Sequence, residues 1–305
     1  MDLEWLEDFV AVTQSGTFAR AAEMRHGSQP ALSRRIKLLE EWVGVPLLER
    51  GRHRIALTAA GDRFLAVAQD VVGRVRVGRL AAREMAEGAA RSIRFASTHA
   101  LALTFFPIWL RGLEEHKPIE ATIKLIADNM VACEHTMLEG KAQFLLCHHH
   151  ALADNRLNDC NFQSVQLSTD MLMPVSAPRE AGSATPLYAF PGTPEQPTPH
   201  LGYSELSGMG RIIKAARGEL TARAFLLPIF ESHLATVLLS MARDRRGIAW
   251  LPTSLIEEDL GSGRLVRAGG AEWDVPMEIH LFRSRGRQSA AAERLWSLVR
   301  RQASS

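Results

Sequence analysis

Residues 28–40 read Ser28-Gln29-Pro30-Ala31-Leu32-Ser33-Arg34-Arg35-Ile36-Lys37-Leu38-Leu39-Glu40, and this stretch decides the fold of the N-terminal region. A serine at the N-cap with a proline in the first turn opens a helix. Ala31, Leu32, Ile36, Leu39 and Trp42 then form one apolar stripe that runs until Gly44. Upstream, Leu3, Leu6, Phe9 and Val10 recur at helical spacing over residues 3–15, and Gly16 ends that helix. Thr17 caps a short second helix whose apolar face is Phe18, Ala19, Ala21, Ala22 and Met24, and His26-Gly27 makes the turn into the third.

Two helices joined by a tight turn, with alanines that permit a close crossing, form a helix-turn-helix. The polar N-terminal end of the third helix is shaped for a major groove. Gln29 reads a base edge there, Ser33, Arg34 and Arg35 reach bases or phosphates, and Thr17, Ser28 and Pro30 complete the candidate DNA-contacting set. Leu32, Ile36 and Leu39 belong to the core. Downstream, 47–50 and 54–58 alternate like a short hairpin with Gly51-Arg52-His53-Arg54 at its tip, a wing whose Arg50, Arg52 and Arg54 suit phosphate or minor-groove contact. A three-helix core with a solvated basic face would account for any one of these arginines, but not for the ordered set.

Composition narrows the class. With 46% hydrophobic and 23% charged residues the 305-residue chain is an ordinary globular one, long enough for two or three units. It has no run of about 18 apolar residues, so no membrane partner is expected. The acidic start Met1-Asp2-Leu3-Glu4 is unlike a secretory signal, which predicts a cytoplasmic protein. Cys133, Cys147 and Cys160 are too irregularly spaced for a disulfide framework and read as idle thiols. The net charge of +2 says little, but basic residues concentrate between Arg25 and Arg54, which fits DNA better than a membrane.

Phe18-Ala19-Arg20-Ala21-Ala22-Glu23, the stretch 28–40 above, Gly44-Val45-Pro46-Leu47-Leu48-Glu49-Arg50 and Leu57-Thr58-Ala59-Ala60-Gly61 together resemble the LysR-type transcriptional regulators. The resemblance implies a winged helix-turn-helix head (1–58), a linker and dimerisation helix (59–89) and an effector-binding domain (90–305) of two Rossmann-like subdomains, built like a periplasmic binding protein. Over 58–87 the apolar residues Phe64, Leu65, Val67, Ala68, Val71, Val72, Val75, Leu80 and Met85 predict a helix roughly 45 Å long. Such a helix needs a partner, and a coiled-coil-like dimer, or a tetramer of paired dimers, supplies one. Packing against its own domain is the alternative for its second half.

After residue 90 the pattern changes to alternating strands and helices: strands at 92–97, 121–125, 143–147, 171–175, 225–227, 247–252, 265–266 and 277–282, with helices at 101–113, 130–138, 207–217, 234–243 and 290–300. Crossings near 160 and 264 divide this into subdomain I (about 90–160 and 265–305) and subdomain II (about 161–264). Ligands in such open sheets bind beyond the strand C-termini. That rule nominates Ser97, Thr98 and His99 after the first strand, Asp128, Asn129 and Met130 after the second, Cys147, His148 and His149 after the third, and from the second half Tyr203, Ser204, Gly208, Met209, Glu231, Ser232 and His233. Ser97 and Thr98 precede a helix and suit either an anion or a simple cap. His148-His149-His150 raises a metal, but neighbouring residues of a strand face opposite ways, so no metal and no cofactor is assigned.

The segments 203–211, 231–234 and 247–252 are similar to the hypochlorite-responsive branch of the family, which senses oxidant by methionine oxidation, and Met209 is the matching methionine. Leu234 departs from that pattern, standing where another methionine is expected. The resulting expectation is a regulator of promoter DNA whose cleft takes a small effector or an oxidant and changes oligomer geometry on DNA. A binding module without DNA activity is the competing class. An enzyme is disfavoured because the chain lacks a phosphate loop, a G-x-S-x-G elbow and a metal motif of proper spacing.

Overall fold

The computed structural model describes residues 1–50, 55–86, 92–116, 118–157, 161–222 and 224–303. It forms two compact units, one built on the first four helices and one on the strands and helices that follow. The first contains α1 (Leu3–Ser15), α2 (Phe18–Met24), α3 (Gln29–Val43), the strands β1 (Leu48–Arg50) and β2 (Ile55–Leu57), and α4 (Ala59–Ala86). Gly16 and Gly44 adopt left-handed conformations that end α1 and α3. Thr17 Oγ1 accepts a hydrogen bond from Arg20 N at the start of α2. Ser28 holds the N-cap position of α3, but its hydroxyl makes no capping bond.

The core of this unit is Leu6, Phe9, Val12, Ala21, Leu32, Ile36, Leu39 and Leu47, joined by Ala68 and Val72 of α4. Trp42, expected in the stripe, is 57% exposed, because the face set by Leu32, Ile36 and Leu39 continues through Val43 and leaves Trp42 a residue out of phase. The first half of α4 packs on its own unit, Phe64 meeting Phe9 at 5.9 Å between ring centres, while Val67 and Val75 remain exposed. In the second half Arg76 reaches Glu7 of α1 at 2.9 Å.

β1 and β2 pair antiparallel, with Leu48 opposite Leu57 and Arg50 opposite Ile55. The hairpin tip lies outside the described residues, and with it Arg52 and Arg54. Two bonds fasten the base of the hairpin to α3, as Glu40 Oε1 accepts from Leu47 N (2.8 Å) and Leu48 N (3.0 Å). At the start of α4, Thr58 Oγ1 accepts from Gly61 N and donates to Pro46 O. A methyl group at Gly61 would stand 2.0 Å from the backbone oxygen of Leu47. Gly61→Ala is thus expected to destabilise the head by ~1–3 kcal/mol despite alanine's higher helix propensity. Thermal unfolding would test this, and an unchanged midpoint would mean that α4 and the wing do not need this close approach.

The second unit runs β3 (Ser92–Thr98), α5 (His99–Thr104), α6 (Phe106–His116), β4 (Thr122–Asp128), α7 (Met130–Leu138), β5 (Phe144–His149), β6 (Phe162–Ser176), β7 (Thr198–Tyr203), α8 (Gly208–Thr221), β8 (Leu226–Ser232), α9 (Ala235–Arg243), β9 (Ala249–Pro252), α10 (Thr253–Gly261), β10 (Val266–Arg267), β11 (Val275–Ser284) and α11 (Ala290–Ala303). Among the described residues a seven-stranded sheet has the order β10-β6-β11-β5-β3-β4, with β9 also on β6, and β7 and β8 form a separate parallel pair. β4, β3 and β5 are parallel to one another, whereas β11 and β6 run antiparallel to their neighbours.

Two cores follow from this topology. One gathers Phe95, Phe106, Phe144, Leu281 and Trp296 around β3, β5 and β11. The other gathers Leu172, Leu201, Leu238, Trp250 and Trp273, with Trp250 Nε1 donating to the backbone oxygen of Trp273. The strands that carry the chain between halves are β6 and β11, paired along most of their length. Residues 265–277 consequently belong with the second core, since Leu265, Ala268, Trp273, Val275 and Met277 all pack there and β10 pairs with the far end of β6. The crossing expected near 264 thus falls later, inside β11 between Met277 of this core and Ile279 of the other, and the first lies inside β6. The expected helix 101–113 is two helices, broken at Phe105 ahead of Pro107, whose missing N–H suits a first turn. β7 was not anticipated, because Pro199 and Gly202 obscure its alternation.

Candidate functional sites: the helix-turn-helix face and the effector cleft

At the start of α3, Ser28, Gln29, Pro30 and Arg34 are exposed, as is Thr17 at the start of α2, while Ser33 is half-buried. Arg35 is engaged differently. Its Nε donates to Asp8 Oδ2, and Asp8, whose side chain is fully buried, also accepts from Arg25 Nε at 3.0 Å. Arg25 in turn reaches Glu7 at 2.6 Å. One carboxylate on α1 therefore holds an arginine from the end of α2 and another from α3, which fixes the angle between the two helices of the motif. Arg34 is left as the exposed guanidinium of the pair. The side chain of Arg50 lies outside the described residues.

Of the candidates beyond the strand C-termini, Thr98, His99, Asp128, Asn129 and Met209 line one small cavity of about 30 Å³, together with Met130, His148, Ser207 and His233. Met209 is buried. Thr98 occupies the N-cap of α5, but its Oγ1 is buried and has no hydrogen-bond partner among the described residues. His99 and His233 approach across the cavity at 6.0 Å between ring centres. Asp128 and Asn129 shape its floor: Asp128 Oδ1 accepts from Asn129 N, and Asn129 Oδ1 caps α7 by accepting from Ala132 N.

The other candidates fall elsewhere. Ser97 points to the opposite face of β3 from Thr98, is fully buried, and donates to a backbone oxygen. Tyr203 donates its hydroxyl to Trp250 O and, with Glu231, lines a separate open groove of about 1120 Å³ beside α8. Ser204 Oγ is buried without a partner but outside the small cavity, and Ser232 Oγ accepts from Leu234 N at the turn into α9. The C-terminal ends of β7 and β8 still reach the cavity, through Ser207, Met209 and His233, but Tyr203, Ser204, Glu231 and Ser232 do not line it.

A buried polar centre that no sequence motif marks lies beside the cavity. Asp170 on β6 accepts from His148 Nε2 (3.0 Å), Thr253 Oγ1 (2.8 Å), Ser254 Oγ (2.6 Å), Ser254 N (3.2 Å) and Met171 N (2.8 Å). Burial alone would raise this carboxyl, but the bonds from His148, Ser254 and Met171 outweigh it and hold it well below the ordinary aspartate range. Asp170 thereby orients the cavity-lining His148 and joins β5, β6 and α10. Its sequence signal was a lone acid heading the apolar run 171–175. A second buried acid, Glu134 on α7, takes a two-pronged pair from Arg211 on α8 at 2.8 and 3.2 Å. That bond ties the two halves together two residues beyond Met209. Close by, Gly208 lies against Met130, where a Cβ would come within 3.2 Å.

The thiols are not the reactive groups of this region. Cys133 donates to Ser97 O, and burial pushes it up to about 12; burial also raises Cys147. Both stay protonated at neutral pH and are poor nucleophiles. Cys160 lies outside the described residues.

The sequence of residues 3–62 matches the model of the bacterial regulatory helix-turn-helix protein of the lysR family, and residues 86–304 match the LysR substrate binding domain. The chain belongs to the LysR family of transcriptional regulators. It is 30% identical over 303 residues to the HTH-type transcriptional regulator YjiE of Escherichia coli, which covers 98% of this chain and 94% of the relative. It also resembles the full-length structure of HypT from Salmonella typhimurium, described as a hypochlorite-specific LysR-type transcriptional regulator, with 29% identity, a TM-score of 0.60, and 100% and 99% of the two chains covered. The regulatory domain of the same protein with bromide bound is similar at 28% identity and a TM-score of 0.59, over 70% of this chain and 96% of that one. The protein is thus a DNA-binding regulator with an effector domain, from a family that is not enzymatic and whose members bind promoter DNA and small effectors and form oligomers. Likeness to HypT is compatible with the resemblance to the hypochlorite-responsive branch. Among the described residues no helix is long and apolar enough to cross a membrane.

Proposed function

We propose that the effector of this regulator is a small anionic oxidant, taken into the cavity beside Met209. The observation that carries the reading is the buried, unpartnered Thr98 Oγ1 in a cavity of about 30 Å³ whose walls include a thioether and three imidazoles. At ~10–15 Å³ per water-sized occupant, the space suits a species of two or three heavy atoms. Hypochlorite fits in size, and the hydroxyl of Thr98 and the N–H groups of His99 or His233 can donate to it. The bromide-bound regulatory domain of HypT supports an anion-sized site in a similar fold.

Oxygen transfer from hypochlorite to the Met209 sulfur yields a sulfoxide and releases chloride, so a buried apolar side chain becomes polar. Methionine 209 sits near the N-terminus of α8, and the polar oxygen displaces that turn and bears on the Arg211–Glu134 pair between the halves. The change alters the relation of effector domains in the oligomer, which pairs through α4, and with it the spacing of the helix-turn-helix heads. Gln29, Ser33 and Arg34 read and grip the DNA, Thr17, Ser28 and Pro30 stand at the backbone, and Arg50, Arg52 and Arg54 hold the flanking phosphates. The protein works in the cytoplasm.

Hypochlorite is expected to change promoter binding and transcription by the wild type, and Met209→Leu to reduce that response at least ~10-fold while leaving untreated DNA binding unchanged. Mass spectrometry should find the added oxygen on Met209. Equal responses from both proteins would remove Met209 as the sensor.

A further inference from the structure

The three consecutive histidines at the end of β5 are separated by the fold. His148 turns to Asp170, while His150 lies in the following turn, where its Nδ1 accepts from Leu152 N. His149 points to the other face and meets two residues of β11. Glu278 is directly opposite it in the antiparallel register, and His280, two residues further along the same face, brings its ring centre to 4.5 Å from that of His149. One ligand atom from each of His149, Glu278 and His280 can be chosen so that all lie within 4.8 Å of one another.

We propose that His149, Glu278 and His280 form a binding site for a zinc-class divalent cation. Two imidazoles and a carboxylate are the ligand types of a tetrahedral zinc site with one position open to water. With bonds of about 2.0–2.2 Å the ligand atoms of such a site stand roughly 3.3 Å apart. His280 Nε2 and Glu278 Oε2, now 2.7 Å apart in a direct hydrogen bond, need only a small side-chain rotation to admit the ion between them. The outer partner is also present: His280 Nδ1 lies 3.1 Å from Ser164 Oγ on β6. With the metal on Nε2, the ring proton sits on Nδ1 and donates to Ser164, which fixes the tautomer and the plane of the ring. All three ligands are half-buried, so the site is reachable without unfolding.

The pairing also gives the ion a consequence. It would tie the end of β5 to β11 at the residue next to His148, on the sheet face away from the effector cavity. The site needs no oxidant and no DNA, and it stands independently of the reading of Met209.

The full-length protein, stripped of metal with a chelator and then titrated with zinc, is expected to bind one ion per chain through this site and to melt at a higher temperature with zinc than without. Cobalt in its place should give the visible absorption of a low-symmetry, four-coordinate complex. Glu278→Gln keeps the size and partial exposure of the side chain, and His149→Gln removes an imidazole from the sheet. Each is expected to weaken the binding at least ~10-fold while the metal-free protein keeps its melting temperature within a few degrees. His150→Gln serves as the control for adventitious binding by surface histidines and should bind as the wild type does. The assignment fails if zinc binds with equal strength to the wild type and to both variants, if His150→Gln alone abolishes it, or if stripped wild type takes up no zinc at micromolar concentration.

Discussion

Asp170→Ala is expected to destabilise the effector domain by ~3–5 kcal/mol, the range for removing one member of a buried, hydrogen-bonded charged network. Five donors converge on this carboxylate, and its side chain and that of His148 are only 2% and 3% exposed. Alanine would leave the imidazole, two hydroxyls and two amides to find water in a closed region. Denaturant unfolding measures the loss, and a change below about 1 kcal/mol would mean that water replaces the carboxylate at little cost. The dependence on pH has a definite sign. Because the folded carboxyl is held below its unfolded value of about 3.9, its contribution is fully present above that pH and is lost as the pH falls toward the depressed folded value. The stability gap between wild type and Asp170→Ala should therefore narrow on acidification below about pH 4 and stay constant in this respect above about pH 5. Since Asp170 also sets His148, the variant should lose effector response even at temperatures where it remains folded.

The two adjacent arginines of α3 should separate cleanly. Arg34→Ala is expected to weaken binding to the protein's own promoter region by ~5–150-fold, the equivalent of ~1–3 kcal/mol for one base or phosphate contact, with no change in melting temperature. Arg35→Ala should instead lower the stability of the head by ~1–3 kcal/mol, less than a fully buried pair would, because Arg35 is about a quarter exposed and Arg25 still serves Asp8. Gel shifts and thermal melts on both variants decide the matter. Undiminished DNA binding by Arg34→Ala would remove it as a reader, and a stable Arg35→Ala that loses DNA would move that role to its neighbour.

Reading Arg34 and Arg35 alike was natural from the sequence, since nothing local distinguishes two neighbouring arginines. The distinction arises from Asp8, which lies on a different helix and reaches only one of them. Glu40 is similar: within the stripe it is one more helical glutamate, yet its carboxylate holds the first backbone amides of the wing. In the effector domain, the rule that ligands gather beyond strand C-termini names Thr98, His99, Asp128, Asn129 and Met209, and the fold brings these five to one cavity. Tyr203, Ser204, Glu231 and Ser232 lie outside that cavity, and the second half reaches it instead through Ser207, Met209 and His233, a few residues further along the chain. The domain crossing near 264 was misplaced for a topological reason. A strand's partner, not its own composition, determines which half it serves, and β10 is too short to announce that it pairs with β6.

The sequence by itself determined the helix-turn-helix, the long linker helix and the strand–helix alternation of the effector domain. Each is written in a local period, a cap or a turn, and such signals act over a few residues whatever the rest of the chain does. Only the tertiary structure decided which polar groups meet. The Asp8–Arg35 pair, the Asp170–His148 centre, the Glu134–Arg211 tie and the His149–Glu278–His280 cluster each join residues from separate elements. Their contact depends on helix packing and strand register, which are fixed by the burial of the whole core and leave no mark on the spacing of the residues themselves.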